Sequence, residues 1–465
     1  MYTKTKKKIL PAVVAAAVIL SVSGCAKDSK PETKDSSTVT SQTEAPESKT
    51  ETAEPAESAA PLSESQPGEE KPAVTTAADT DTKPVSGNGN MTNGLTYDPS
   101  DNTWATDDEK YEKFIKIMKR ECTKAPDFNG IMLLATDDKI LFIGASNTTE
   151  ADGIKKVNAF TTYELGQISS IFTATAVLQL CEQGKLSLDD KLVKYFPGFE
   201  KGKDITLEQI LSARSGLQPD FLPSGAFYDG KAYNTEALKK YYNDGYAASE
   251  LLSSLFSSDL LFEPGKDIMY SNAGFTLLAM VIEQVSGMSY ADYVKENIFK
   301  VCGMVHSGCM TTGDVTSTPV IDPESSMIPF DVTKVSEDGY LAAPNTGKGA
   351  MDIHSCASDM LAFDKALMGG KLLNEESLAV MYDLDAKERP FNCGWQPFGY
   401  WQPEIAAVRE EVYFSTGNTL SYIANNVICK SKKYGNVYFI QLHSNIEDAK
   451  YCGDTRANIA LATKT

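Results

Sequence analysis

The most informative part of the sequence reads GQISSIF at residues 166–172, where a polar turn leads into a long apolar segment. Apolar residues continue at helical spacing as far as Cys181, and Gly184 ends the pattern. This spacing predicts a helix with a buried face. Gln167 and Ser170 lie one turn apart at its start, so we expect both side chains on the same side of the helix.

Two segments before this helix indicate how it packs. Residues from Thr106 predict an amphipathic helix, with Thr106 as N-cap and apolar residues from Tyr111 to Met118 at helical spacing. Apolar runs at 130–136 and 140–144 flank a polar turn and predict a β-hairpin. A helix, a hairpin and a second helix favour an α+β fold, with helices packed on an antiparallel sheet.

Composition limits the partners that the chain can bind. The 465 residues carry a formal net charge of −19 and a pI near 4.7, so electrostatic repulsion argues against nucleic acid. The sequence has three histidines and no Cys-x-x-Cys pair, and we therefore expect no metal ion or other cofactor. Nine cysteines permit disulfides after export, but the sequence assigns no pairing.

The N-terminus predicts an export signal over residues 1–25. Lysines at positions 4 and 6–8 precede an apolar run at 9–22, which is too short for a comfortable membrane span. The residues VSGC that end at Cys25 resemble the lipobox of bacterial lipoproteins. This resemblance implies that Cys25 is lipidated, and that the mature protein is anchored at the outer face of the bacterial cell membrane.

Residues 26–100 predict a disordered tether. The segment is rich in Ser, Thr, Glu and Pro and has no aromatic residue before Tyr97, so it cannot bury enough apolar surface to fold. As a flexible coil it would reach about 50 Å on average, and we interpret it as a plain spacer. The folded domain is then expected over residues 101–465.

An ordered series of short motifs runs through residues 127–445. Besides residues 166–172, it comprises EQGKLSLDD at 182–190, ITLEQILSARSGL at 205–217, FEPG at 262–265, YSNAGF at 270–275, MDIHSCASDMLAF at 351–363 and an apolar run at 437–442. In this order the motifs resemble the serine β-lactamase and penicillin-binding-protein superfamily, in particular its class C β-lactamase, esterase and D-alanyl-D-alanine-peptidase branch. The resemblance implies an antiparallel five-stranded sheet flanked by helices, with a mostly helical lobe at about residues 185–300.

The resemblance also implies a three-part active site. In the family, a serine at the start of the buried helix attacks an acyl carbon, and a lysine three residues later assists removal of its proton. A Tyr-x-Asn motif shares the proton transfer and orients the substrate amide. A third motif, Lys/His-Thr/Ser-Gly on an edge strand, supplies a cation for the substrate carboxylate and part of a backbone oxyanion hole.

The first motif has lost both of its reactive side chains. Gln167 takes the serine position and Ser170 takes the lysine position. A carboxamide cannot act as the acyl acceptor, and a hydroxyl cannot replace an amine as the base. No serine in the chain has a lysine three residues later, so the motif has not moved to another register.

The other two motifs keep most of their residues. The second is intact, with Tyr270 and Asn272 at its ends. The third reads STGN and consists of Ser415, Thr416 and Gly417 followed by Asn418, so its cation is missing. The nucleophile, the lysine and the cation are lost, whereas the other motif residues remain. This pattern indicates that the fold has been retained and the catalytic reaction lost.

We interpret the chain as an extracellular lipoprotein with a catalytically inactive domain that binds a small molecule or a peptide, such as a peptidoglycan fragment. The ligand-binding candidates are Gln167, Ser170, Tyr270, Asn272, Ser415 and Asn418. Aromatic residues between Phe221 and Tyr246, and Trp395 with Trp401, are further candidates for the cleft walls.

Two other functions remain open from the sequence. The first is an active serine hydrolase of the same family that uses Ser170 or Ser169 as nucleophile and Tyr270 as base, although an unassisted tyrosine is a poor base at neutral pH. The second is a structural module that presents a surface on a stalk. Fold analogy favours none of the three, because function belongs to the site.

Overall fold

A computed structural model describes residues 91–124, 129–146, 157–219, 248–309, 347–385, 387–397, 411–418 and 422–444. Its strands are β1 (Thr96–Asp98), β2 (Thr103–Ala105), β3 (Asn129–Thr136), β4 (Ile140–Ser146), β5 (Tyr163–Glu164), β6 (Gly308–Cys309), β7 (Ile353–Ser355), β8 (Gln396–Pro397), β9 (Val412–Asn418), β10 (Tyr422–Ser431) and β11 (Gly435–Ser444). The larger sheet is antiparallel in the order β1-β2-β4-β3-β11-β10-β9-β8, and β5-β7-β6 form a small second sheet. The predicted β-hairpin is confirmed as β3 and β4.

The α+β fold class is confirmed, but the expected count of five strands is wrong. Five long strands form the centre of the sheet, and three short strands of two or three residues extend its edges. Two of these, β1 and β2, reach back to Thr96, which lies before the expected domain boundary at residue 101. Trp104 on β2 pairs with Ile143 on β4, and the Tyr97 ring lies 4.6 Å from the Trp104 ring. These contacts make residues 96–105 part of the folded domain.

The helices cover both faces of the sheet and form the lobe. They are α1 (Glu112–Lys124), α2 (Ser169–Glu182), α3 (Leu207–Leu211), α4 (Ala248–Ser257), α5 (Asn272–Ser286), α6 (Tyr290–Val294), α7 (Lys300–Cys302), α8 (Ala357–Met368) and α9 (Glu375–Met381). The predicted cap of α1 at Thr106 is wrong. The chain enters through a 3-10 turn, Glu109–Tyr111, and the Asp108 side chain accepts a hydrogen bond from the Lys110 N–H.

Two hydrophobic layers enclose the sheet. On one face, Phe114 and Met118 of α1 pack with sheet residues such as Phe439. On the other face lies α2, whose side chains are buried on nearly every side, as expected for a helix at the centre of a core. The Phe172 ring of α2 lies 4.4 Å from that of Phe363 on α8. Helix α2 is therefore a fixed support for the residues at its N-terminus.

The described part of the helical lobe agrees with the sequence pattern. The sequence predicts a helical run from Ala247 to Phe256, and α4 confirms it. The sequence also predicts a helical run from Thr235 to Tyr242. That run and the aromatic candidates between Phe221 and Tyr246 lie outside the described residues. Within the described ranges, no helix is both long enough and apolar enough to cross a bilayer. Six described cysteines carry no disulfide: Cys122, Cys181, Cys302, Cys309, Cys356 and Cys393.

Candidate active site

The first motif lies where the chain enters α2. Gly166–Ile168 form a 3-10 turn, and Gly166 has a φ of 55°. This left-handed conformation favours glycine, because a side chain would be strained there. Gln167 is half-buried, and its Nε2 lies 3.8 Å from Sδ of Met351. The turn therefore holds the Gln167 side chain beside the segment that leads into β7.

The two serines after Gln167 are bonded to backbone groups. Ser169 is fully buried, and its Oγ accepts a hydrogen bond of 3.0 Å from the Ile353 N–H, which ties α2 to β7. Ser170 is also buried, and its Oγ donates a hydrogen bond of 2.7 Å to the Gln167 carbonyl oxygen. Among the described contacts of these hydroxyls, none is to a basic side chain.

A tight bend at residues 391–395 covers Ser170. Gly394 has a φ of 85°, and a methyl group on it would lie 2.6 Å from the Ser170 Oγ. The Cys393 N–H donates a 2.8 Å hydrogen bond to the Leu211 carbonyl oxygen, which anchors the bend to α3. Only a glycine at 394 allows the bend to approach α2 this closely.

Trp395 does not lie on the cleft rim, as the sequence suggested. It is fully buried, and its ring lies 5.6 Å from that of Tyr382. The bend at Gly394 turns the indole into the core. The other rim candidate, Trp401, lies outside the described residues.

The second motif caps helix α5. The Ser271 Oγ accepts a hydrogen bond of 2.9 Å from the Gly274 N–H and donates one of 2.6 Å to the Gln218 carbonyl oxygen. A serine at this position satisfies a helix N–H that would otherwise lack a partner within the helix. Asn272 is half-buried and is the first residue of α5. The cap therefore fixes where Tyr270 and Asn272 lie relative to the start of α5.

Tyr270 is held between two phenylalanines. Its ring lies 5.4 Å from that of Phe275 on α5 and 5.2 Å from that of Phe391 in the bend. The contact with Phe391 is edge-on, which is a favourable geometry for aromatic pairs. Since the same bend also covers Ser170, it links the second motif to the first.

The third motif lies directly against the first. A methyl group on Gly417 would overlap the Leu165 carbonyl oxygen and lie 2.8 Å from the Gln167 nitrogen. Strand β9 can approach the turn only because residue 417 has no side chain. Ser415 lies on the same face of β9 as Gly417 and is buried. The structure thus brings the backbone of the third motif to the position of the missing nucleophile.

Two residues of the third motif are placed differently. Thr416 points to the opposite face, where its single O–H is shared between two acceptors, the Ala424 carbonyl oxygen at 3.3 Å and Oδ1 of Asn425 at 3.2 Å. It therefore supports the sheet and does not face α2. The Asn418 backbone pairs with Ile423, and its side chain lies outside the described part of the protein.

A partly buried ionic network lies behind α2. The Lys348 Nζ lies 2.8 Å from Oε1 of Glu283, which also accepts a hydrogen bond from the Tyr290 N–H. The Tyr290 hydroxyl in turn bonds to Oγ1 of Thr173 on α2 at 2.7 Å. Because Glu283 holds its ammonium group, Lys348 does not replace the lysine that is missing at Ser170.

Asp352 completes this network. It is fully buried, and its Oδ1 accepts a 2.9 Å hydrogen bond from the Gly349 N–H. Burial raises the pKa of the Asp352 carboxyl to about 7, although the Gly349 bond and the charge of Lys348 oppose the increase. Asp352 directly follows Met351, which contacts Gln167. A carboxyl that titrates near neutrality therefore lies next to the first motif.

Three residues of the site had no role assigned from the sequence: Met351, Phe391 and Gly394. Met351 begins one of the family motifs, and a Gly-Trp pair marks Gly394, but neither signal identifies the contact that the residue makes. Phe391 has no local signal at all.

The described side chains facing the first motif offer amides, hydroxyls and aromatic rings, and neither an amine nor a carboxylate replaces the lost groups. This set can bind amide and carbonyl groups by hydrogen bonds.

Comparison with known families agrees with the geometry of the three motifs. The profile described as beta-lactamase matches residues 120–461, which is more than half of the chain. The chain belongs to the β-lactamase family. Members of this family are serine hydrolases, and the fold described above is a β-lactamase-like serine hydrolase fold.

Individual relatives of this β-lactamase-family chain are distant. Penicillin-binding protein 4* of Bacillus subtilis is 30% identical over 266 residues, which cover 54% of each chain. The chain thus spans about half the length of this curated relative. A penicillin-binding protein structure from Bacillus halodurans has a TM-score of 0.56 at 20% identity and covers 75% of this chain and 98% of its own. The D-amino acid amidase of Ochrobactrum anthropi has a TM-score of 0.58 at 18% identity, covering 76% and 98%. The two structures establish the fold alone.

Proposed function

We propose that this chain is a lipid-anchored extracellular member of the β-lactamase family that binds a cell-wall peptide or a related small ligand without forming an acyl-enzyme. One observation carries the proposal. The backbone of β9 still closes against the turn at the nucleophile position, and that position holds the carboxamide of Gln167.

The hydroxyls near this position support the absence of acyl transfer. Ser170 donates its hydrogen to the Gln167 carbonyl, and Gly394 covers it. Ser169 is fully buried and receives the Ile353 N–H. A serine needs a neighbouring base to become a nucleophile, and neither contact provides one. Without a nucleophile, the family's chemistry falls to the residual effects of binding and of the oxyanion hole.

The retained side chains support ligand binding. Tyr270 and Asn272 remain on a capped, well-packed helix terminus, and Ser415 remains on the strand that faces the first motif. These groups are uncharged hydrogen-bonding partners, which suit the amides of a peptide. The Bacillus subtilis relative is named a penicillin-binding protein, which supports a ligand with an amide or lactam carbonyl.

Ligand binding is tested by calorimetry with stem peptides and muropeptides. We expect binding to the full chain and its loss when Tyr270→Ala and Asn272→Ala are combined. Thr416→Ala is the matched control, because Thr416 faces away from α2 and its loss should leave binding unchanged. If a folded wild-type chain bound none of the cell-wall fragments, the surface-presentation alternative would take the place of this proposal.

The loss of acylation is tested with a fluorescent penicillin. We expect no covalent label on the wild-type chain and a label on the double variant Gln167→Ser with Ser170→Lys, which restores both reactive groups of the first motif. Each single change serves as a control and should remain unlabelled. Covalent labelling of the wild type that disappears in Ser170→Ala would instead establish the active-hydrolase alternative.

The membrane anchor is tested by labelling with palmitate. We expect the wild-type chain to take up the label in a bacterial host and Cys25→Ala to take up none, because the thiol of Cys25 is the expected attachment point. Equal incorporation by both chains would contradict the anchor and leave the ligand-binding part of the proposal intact.

A further inference from the structure

A buried acid–amide pair lies behind the third motif. Asp364 on α8 and Asn426 on β10 are both fully buried. The Asn426 Nδ2 donates a hydrogen bond of 2.8 Å to Oδ1 of Asp364. Within the sheet, Asn426 pairs directly with Ser415 on β9 and with Ile440 on β11. The pair therefore joins helix α8 to the strand that supports Ser415.

The other two polar atoms of this pair have no partner. Asp364 Oδ2 and Asn426 Oδ1 are both buried and make no hydrogen bond to any atom of the protein that the structure describes. Both atoms are acceptors if Asp364 is ionised, so neither can satisfy the other. Two unsatisfied buried acceptors, one of them charged, would be strongly unfavourable.

A single proton satisfies both atoms. Protonation converts Asp364 Oδ2 into a donor. The matching acceptor is Asn426 Oδ1, which belongs to the same amide that already donates to Asp364 Oδ1. We propose that Asp364 carries a proton in the folded protein and closes with Asn426 a ring of two hydrogen bonds, and that this proton makes the support behind Ser415 sensitive to pH.

Within the described ranges, no positive charge competes for Asp364. The titratable groups that face it from neighbouring elements are Tyr382 after α9, Tyr438 on β11 and Cys302 on α7. The adjacent Lys365 reaches the Asp137 carbonyl oxygen at 3.0 Å, away from the pair. Burial raises the pKa of the Asp364 carboxyl well above its usual range, and the Asn426 hydrogen bond offsets only part of this.

The direction of the pH effect follows from proton linkage. The folded chain holds a proton on Asp364 that the unfolded chain releases above its ordinary pKa of about 3.9. Unfolding at neutral pH therefore releases this proton, and the folded state is favoured less as the pH rises. When Asp364 ionises, the ring loses the bond from Oδ2–H to Asn426 Oδ1. A buried charge held to β10 by the Asn426 N–H bond alone then lies next to Ser415.

The test uses Asp364→Asn in the full chain. An asparagine replaces the O–H donor with an N–H donor, so the ring of two hydrogen bonds remains. All measurements are made in an Asp352→Asn background, because the pKa of Asp352 is about 7 and its proton would overlap. The parent is the chain that carries Asp352→Asn alone. Above about pH 5, we expect its unfolding constant to rise about tenfold per pH unit relative to that of the chain that also carries Asp364→Asn.

Infrared spectroscopy provides a second readout. At pH 7 we expect the C=O band of a protonated carboxyl in the parent, its loss in Asp364→Asn, and its retention in the matched control Asp359→Asn on the same helix. If Asp364→Asn does not fold, the parent spectrum alone decides, since the band is either present or absent. A parent without the band, or parallel pH profiles for parent and variant, would overturn the proposal.

Discussion

At the scale of single residues, Gly417 determines how closely the third motif approaches the first. Its missing side chain leaves room for the Leu165 carbonyl oxygen and the Gln167 nitrogen. We expect Gly417→Ala to destabilise the fold by about 3 kcal/mol, because the backbone must move to avoid overlap. Denaturant unfolding measures the effect.

The matched control for this change is Gly198→Ala. A methyl group on Gly198 meets no atom within 4 Å, so the same chemical change should alter stability little. Equal effects from the two substitutions would show that the contact at Gly417 does not constrain β9.

Asp352 gives the fold a pH dependence near neutrality. Its pKa is about 7 in the folded protein because of burial. In the unfolded chain the pKa of this carboxyl is about 3.9. The protonated carboxyl therefore contributes its full stabilisation below about pH 4, and on the order of 4 kcal/mol of folding free energy is lost as the pH rises to 7. We expect Asp352→Asn to remove the contribution of Asp352 to this slope, to leave that of Asp364, and to exceed the wild type in stability at pH 8. Unfolding curves between pH 5 and pH 8 check it, and an unchanged slope would contradict the assignment.

At the scale of secondary structure, the cap of α5 both stabilises the helix and holds the second motif in place. Ser271 satisfies the Gly274 N–H and also donates to the Gln218 carbonyl oxygen. Ser271→Ala should cost about 1 kcal/mol in stability and weaken ligand binding, because Tyr270 and Asn272 flank the cap. Thermal unfolding and calorimetry measure the two effects.

Two further substitutions at Ser271 separate its two hydrogen bonds. Threonine keeps both and should behave like the wild type, whereas aspartate keeps the cap but cannot donate to Gln218. If aspartate restored stability as fully as threonine, the helix cap alone would explain the effect.

The sequence predicted elements better than it predicted their ends and contacts. The β3–β4 hairpin and helix α2 follow from local apolar periodicity, which the sequence displays directly. The start of α1 was misplaced because Thr106 and Asp108 are both good caps, and tertiary packing selects between them. The motif positions could be read from the sequence, but the bend that carries Phe391 and Gly394 could not, since its contacts join residues more than a hundred positions apart.

At the scale of the whole molecule, strands β1 and β2 set where the domain begins. They cover the edge of β4, and Trp104 packs against the core. A chain shortened to begin at Thr106 should lose about 2–3 kcal/mol from the Trp104 contact alone and expose an edge that favours aggregation. A chain that begins at Met91 should match the full-length protein. Denaturation and size-exclusion chromatography compare them, and equal stability of both shortened chains would refute the assignment.

Four buried or half-buried cysteines provide a chemical readout of whether the domain is folded. Burial raises the pKa of Cys181 to about 11 and those of Cys122, Cys302 and Cys356 to about 12. The thiolate is the form that reacts with maleimides, so these thiols should react slowly while the domain is folded and rapidly once it opens. Every variant described above can therefore be ranked by its rate of thiol labelling, with no added dye site. The same protection should keep these thiols reduced in the oxidising space that the proposed export implies.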